Sequence, residues 1–308
     1  MRKMFVETLI QLAERDERIM LLTGDLGFGV VEPFMSKCPK RFINVGVAEQ
    51  NMVGVATGLA ESGFIPFVYS IAPFVVLRPY EFIRNGPILH RLPIRVVGIG
   101  GGFDYSHNGP SHYALEDIAV MRAQPGITVV APADPLQART AIEATWNIAG
   151  PVYYRLGRDD RVRVPDLDGR FDLGRAQLIR NGKDVLFISM GTVTTEVCSA
   201  ADNLATQGIA SSILVVSSVS PAPTEDLIEA ISRFSTIITV EAHYKTGGLA
   251  SLVSETIAYN GLNARILPCA VEQSVDGKTG SLEYLYERHG LSASCLVATV
   301  TRSLALSK

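Results

Sequence analysis

A single carboxylate, Glu49, stands inside the run Asn44-Val45-Gly46-Val47-Ala48-Glu49-Gln50-Asn51-Met52, and small apolar residues continue through Val53, Val55, Ala56 and Leu59. The run reads as the start of a buried helix, where a lone carboxylate costs several kcal/mol unless something answers it. At a helix N-terminus it can serve as a cap for free backbone amides. In an apolar pocket its pKa rises instead, and it keeps a proton available for a partner base. A second candidate is His112, at the end of Asn108-Gly109-Pro110-Ser111-His112, with His107 beside the same loop. An isolated histidine is by default a core or cap residue, and otherwise a proton-transfer group. The glycines of Gly98-Ile99-Gly100-Gly101-Gly102 could cradle a phosphate through backbone amides,. They lack the spacing and context of a nicotinamide-binding fingerprint, so a dehydrogenase is rejected.

These groups must be held by an α/β framework. Helical spacing over 5–13 precedes an apolar strand over 19–25, and a second short strand over 40–45 leads into the helix that starts near Glu49. Strands over 66–70, 94–100 and 128–132 follow, with helices over 75–89, 113–122 and 135–147. Alternating strands and helices, several of the strands apolar throughout, predict a mostly parallel sheet covered on both faces. A charged, Pro- and Gly-containing stretch over 161–183 reads as a linker,. The alternation then restarts, with strands over 184–189, 210–216 and 236–241 and helices over 194–207, 224–234 and 249–259. The expectation is two domains, 1–160 and 184–308, each a mostly parallel sheet flanked by helices.

Composition narrows the function. At 308 residues the chain has room for two domains, and 47% hydrophobic with 19% charged residues describes a globular protein with a sizeable core,. A net charge of −3 offers no basic stripe for nucleic acid,. No apolar run approaches the ~20 residues that span a membrane. Cys38, Cys198, Cys269 and Cys295 are scattered with no CxxC pair, as expected of reduced thiols in a cytoplasmic protein, and no metal site is expected,.

The wording around the candidate residues resembles transketolases. Arg41 to Met52 is similar to their cofactor-activating segment, and Asn108-Gly109-Pro110-Ser111-His112 to their substrate-facing loop. Pro125-Gly126-Ile127-Thr128-Val129-Val130-Ala131-Pro132-Ala133-Asp134 resembles the strand and turn that follow, and Val240-Glu241-Ala242-His243-Tyr244-Lys245-Thr246-Gly247-Gly248-Leu249 a C-terminal-domain signature. The likeness covers the pyrimidine-binding and C-terminal domains only. The Gly-Asp-Gly and Asn that hold Mg2+ against the cofactor's diphosphate are missing, Thr23-Gly24-Asp25-Leu26 being the nearest approach. The chain thus resembles the C-terminal subunit of a split, thiamine-diphosphate-dependent transketolase.

That resemblance implies a role for each residue. Glu49 would meet the ring nitrogen N1′ of the aminopyrimidine and favour the imino tautomer that removes the C2 proton, giving the ylide. Ile71 or, one register step away, Phe74 would cover the pyrimidine ring. His112 would contact the sugar or move a proton, and Asn108 would face the donor hydroxyls where transketolases commonly carry Asp. Arg158, and with it Arg2, would hold an anionic sugar end, a surface salt bridge being the ordinary alternative. The implied reaction is transfer of a two-carbon ketol unit from a ketose to an aldose. The implied cofactors are thiamine diphosphate and Mg2+, the metal held mainly by an N-terminal subunit with the diphosphate domain in an α2β2 assembly. The alternatives are the β-type subunit of a 2-oxo acid dehydrogenase, a deoxyxylulose phosphate synthase-like protein, and a non-catalytic partner subunit.

Overall fold

A computed structural model describes residues 1–273 and 275–306; Ser274 and the last two residues of the expected C-terminal domain lie outside the described residues. The strands are β1 (Ile19–Thr23), β2 (Phe42–Asn44), β3 (Ile65–Ile71), β4 (Arg95–Ile99), β5 (Thr128–Val130) and β6 (Val152–Leu156) in the first half. The second half carries β7 (Gln177–Arg180), β8 (Val185–Met190), β9 (Ser211–Val215), β10 (Ser218–Ser220), β11 (Thr236–Tyr244) and β12 (Arg265–Val271). They form a seven-stranded sheet in the order β10-β5-β6-β4-β3-β1-β2 and a five-stranded sheet in the order β12-β11-β8-β9-β7. Every pairing is parallel except β10 with β5 and β7 with β9. Every residue of β1, β4 and β6 is buried, as in strands covered on both faces,.

Local chemistry fixes the helices that cover the sheets. In the helix Arg2–Arg15 the buried Phe5, Leu9 and Leu12 recur at helical spacing and make one apolar face,. The helix Pro135–Thr145 starts where Asp134 accepts a hydrogen bond from the Gln137 amide at 2.9 Å, with Pro135 in the first turn,. The helix Glu49–Glu61 buries Met52, Val53, Ala56 and Ala60.

Several expectations change. The stretch read as a linker holds β7, which closes one edge of the second sheet, and β10 crosses from the C-terminal half to pair with β5 in the first sheet. Short polar edge strands leave little periodic signal. The single helix expected over 75–89 is three pieces: Ala72–Leu77, Tyr80–Ile83 and a π-helical turn Arg84–Ile88 containing Pro87,. The helix expected from residue 113 starts at Asp117. The strand expected over 40–45 shortens to β2 after a 3-10 turn, Pro39–Arg41. Unforeseen elements are β6, β12 and the helices Glu32–Lys37, Leu282–Arg288 and Ala293–Leu306.

The register lines up the C-terminal ends of β3, β4 and β6, with Ile71 beside Ile99 and Ile99 beside Leu156, while Thr23 ends β1 beside Tyr69. Ligand sites of open parallel sheets form at such ends.

Candidate active site

Glu49 is the first residue of its helix and 2% exposed. Its oxygens do not cap the helix. Oε1 accepts from the Ser70 hydroxyl at 3.0 Å, and Oε2 pairs with Arg78 Nη1 at 2.7 Å. The expected lone carboxylate in apolar surroundings is therefore a carboxylate with two polar partners, both supplied from around the end of β3. A Cβ on Gly24 would stand 3.3 Å from Glu49 Oε1, so the glycine after β1 keeps the space beside the carboxylate open.

Ile71 ends β3. The half-buried Phe74 ring lies 3.9 Å beneath the Arg78 guanidinium carbon and edge-on to His112, with ring centroids 5.1 Å apart. His112 is partly buried in a 3-10 turn, Pro110–His112, with its Nδ1 3.0 Å from the Ser111 hydroxyl. Burial holds its pKa below the ordinary 6.5, and the nearby Arg78 charge pushes the same way,. Its ring also stands 6.1 Å from Tyr105. Asn108 is exposed at the end of the preceding turn, before Gly109 at φ 85°.

The arginines meet. Arg2 Nε donates to the Arg158 carbonyl at 3.3 Å, and the Arg158 guanidinium lies 4.9 Å from the Tyr105 ring centroid. The Arg158 amide is fixed by Asp104 Oδ2 at 2.8 Å. Both arginines line a cleft of about 560 Å³ together with Lys3, Asp104, His107 and Arg161. Burial pushes the Asp104 carboxyl up, against the pull of the Arg158 amide. The glycines Gly100, Gly101 and Gly102 are explained by packing, since side chains there would strike the Tyr105 ring, Arg155 and Ala242 respectively.

A buried network ties the loop to both sheets. Arg155, on β6, bonds Asp117 Oδ2 at 2.8 Å and the carbonyls of Ala114 and Ala242 at 2.8 and 2.9 Å. The Tyr153 hydroxyl bonds the same Asp117 oxygen at 2.6 Å. In the segment 240–249, Glu241 accepts the Leu249 and Ala250 amides at 2.7 and 2.8 Å, answering the start of the helix Leu249–Tyr259,. Burial pushes Glu241 up to about 7 and His243 down to about 4. The Ala119 amide donates to His243 Nε2 at 3.3 Å, so this signature joins the two halves.

Sequence reasoning missed Ser70, Arg78 and Tyr105. Ser70 carries a signal, a hydroxyl closing an apolar strand. Arg78 carries none, because an exposed arginine in a helical stretch reads as an ordinary surface charge,.

The transketolase pyrimidine-binding domain matches residues 1–161, and the transketolase C-terminal domain matches residues 174–295. The chain belongs to the transketolase family. Its relatives include a putative transketolase C-terminal section of Methanocaldococcus jannaschii, 34% identical over 99% of this chain and 96% of that one. A 6-deoxy-6-sulfo-D-fructose transketolase subunit of a Clostridium species is 35% identical over 96% of this chain and 92% of its own. A 1-deoxy-D-xylulose-5-phosphate synthase of Syntrophotalea carbinolica is 31% identical, but the chain spans only 47% of it. Among solved structures, a split-gene transketolase described as an inactive β4 tetramer has a TM-score of 0.88 at 34% identity, covering 100% of this chain and 98% of that one. This transketolase-family chain is thus a subunit of the type that split transketolases use, built on the fold of thiamine-dependent enzymes. Among the described residues no helix is long and apolar enough to cross a membrane.

Proposed function

We propose that this chain is the C-terminal subunit of a two-chain transketolase that moves a two-carbon ketol unit from an anionic ketose to an aldose in the cytoplasm. The observation that carries the reading is one continuous row of contacts. It runs from Glu49 through Arg78, Phe74, His112 and Tyr105 to Arg158 and Arg2. A carboxylate-and-aromatic end and a two-arginine end thereby share one edge of the sheet.

The residues present fit the pyrimidine half of thiamine diphosphate. Glu49 offers a buried carboxylate oxygen, Phe74 a flat apolar face, and Gly24 the open space beside them. Bound there, the cofactor supplies the carbanion chemistry that the protein's own side chains lack. Glu49 would hold the ring nitrogen, with Ser70 fixing the carboxylate's orientation from its other oxygen. His112, with its lowered pKa, is neutral at physiological pH and so can accept a proton from, or hydrogen-bond to, a sugar hydroxyl,. Arg2 and Arg158 would hold the substrate's anionic end, as guanidinium groups do for phosphate or sulfonate. Asn108, exposed on the same loop, would face donor hydroxyls. Two relatives act on sugars with such an end by name: the sulfofructose transketolase subunit and a subunit of an apulose-4-phosphate transketolase from Phocaeicola vulgatus, 33% identical over 96% of both chains.

The Gly-Asp-Gly…Asn set is absent from this sequence. The Mg2+-diphosphate half would come from a partner subunit, in an α2β2 assembly with the cofactor between unlike chains. The inactive β4 state of the split-gene relative is consistent with that dependence. The test is a mixing experiment with this chain, its partner, and both together, each given thiamine diphosphate and Mg2+. Ketol transfer from a sugar phosphate should appear only in the mixture. Transfer by this chain alone overturns the split assembly. Activity requiring pyruvate or lipoamide would replace the transketolase reading with a deoxyxylulose phosphate synthase or a dehydrogenase subunit.

A further inference from the structure

Arg78 makes two contacts at once. Its Nη1 donates to Glu49 Oε2 at 2.7 Å, and its guanidinium carbon sits 3.9 Å from the Phe74 ring centroid. A flat, cationic group hydrogen-bonded to Glu49 and stacked on Phe74 reproduces what an aminopyrimidine would do in the same place. The face of Phe74 that carries the guanidinium cannot carry the pyrimidine at the same time, and a ring bonded to Glu49 Oε2 over that face would have to take the guanidinium's place. We propose that Arg78 holds the place of the cofactor's pyrimidine ring in the free subunit and must leave Glu49 and Phe74 for the cofactor to dock. The inference rests on the assignment of Glu49 and Phe74 to the pyrimidine.

The two partners of Glu49 are suited to this exchange. The Ser70 hydroxyl is buried and holds Oε1, so the carboxylate keeps its orientation when its other oxygen changes partner. The Arg78 side chain is 42% exposed, whereas that of Glu49 is 1% exposed. The guanidinium can therefore swing into solvent on its flexible stem without unpacking the core. A buried carboxylate left without a partner is costly, and the placeholder removes that cost while the cofactor is away. It also taxes cofactor affinity, because only the fraction of molecules with Arg78 displaced can bind.

The test uses this chain assembled with its diphosphate-domain partner and reads thiamine diphosphate binding, with Mg2+ present, by calorimetry. Arg78→Ala should tighten binding by about tenfold, the tax of a site that is roughly 90% self-occupied. Arg78→Lys keeps the charge but loses the planar stack, and should fall between wild type and Ala. An Arg78→Ala enzyme that melts like wild type and binds no more tightly overturns the proposal. Glu49→Ala separates the two layers of the argument. Unchanged binding in that variant refutes the pyrimidine assignment itself, while weakened binding without tightening in Arg78→Ala refutes only the placeholder. If the alanine variant does not fold, the crystal structure of the wild-type assembly with cofactor decides. Arg78 should be found off both Glu49 and Phe74, and its persistence on both overturns the proposal.

Discussion

Replacing Arg155 with methionine tests whether the buried network, rather than the loop's own sequence, holds the substrate-facing segment. Arg155 and Asp117 are 5% and 1% exposed, and the arginine makes three hydrogen bonds, to Asp117, Ala114 and Ala242. Methionine fills much of the same volume and satisfies none of them. Asp117 would keep only the Tyr153 hydroxyl on Oδ2, and its Oδ1 has no partner to begin with. Breaking a buried pair from one side costs about 3–5 kcal/mol, because the surviving charge is stranded. At roughly 2–4 °C per kcal/mol for a domain of this size, the melting temperature should drop by about 10 °C. Calorimetry of the purified chain reads the shift, and hydrogen exchange across 103–116 should show the loop amides losing protection. The double variant Arg155→Met/Asp117→Asn should recover a large part of the loss, since no charge is stranded. A single variant within about 1 kcal/mol of wild type, or a double variant no better than the single, refutes the reasoning.

Four further outcomes follow from the same geometry. Glu49→Gln keeps an acceptor for Ser70 but presents an amide where a carboxyl is needed; turnover of the assembled enzyme should fall ~10²–10⁴-fold with the melting temperature little changed, and near wild-type activity would count against the assignment. Arg158→Ala should raise KM for a phosphorylated sugar by roughly tenfold or more, as loss of a charge-assisted contact does, while Asn108→Asp should shift preference among donors that differ in hydroxyl configuration; steady-state kinetics with anionic and neutral sugars check both. The pair in the C-terminal signature predicts a pH profile. His243, lowered from 6.5 to about 4, makes stability fall as pH drops through that window, and Glu241, raised from 4.5 to about 7, makes it fall as pH rises through its own,. The slopes oppose each other between about pH 4.5 and 6.5, so wild-type stability should be nearly flat there, and Glu241→Gln should unmask an acid-side loss; parallel melting profiles for the two proteins would refute this.

The sequence determined most of the alternation of strands and helices, because strands buried on both faces are mainly apolar runs and their crossover helices are amphipathic. It also singled out Glu49, since one charge in a run of small apolar residues is visible without coordinates, and it held Asn108, His112 and Arg158 as candidates through the wording of their segments. Tertiary structure decided the rest. That Glu49 has partners follows from Ser70 and Arg78 lying 21 and 29 residues away, a separation that no local pattern encodes. That Phe74 meets both Arg78 and His112 depends on where the helix Ala72–Leu77 points its side chains. The edge strands β7 and β10 were invisible because four- and three-residue strands are set by the neighbour they pair with, not by their own periodicity. Arg2 acquired its place beside Arg158 only when the start of the first helix was tied to the segment after β6, the Met1 amino group donating to the Asp159 carbonyl at 2.7 Å, which brings residues 156 positions apart together. Local composition chooses the elements, and the long-range register of the strands chooses which side chains meet.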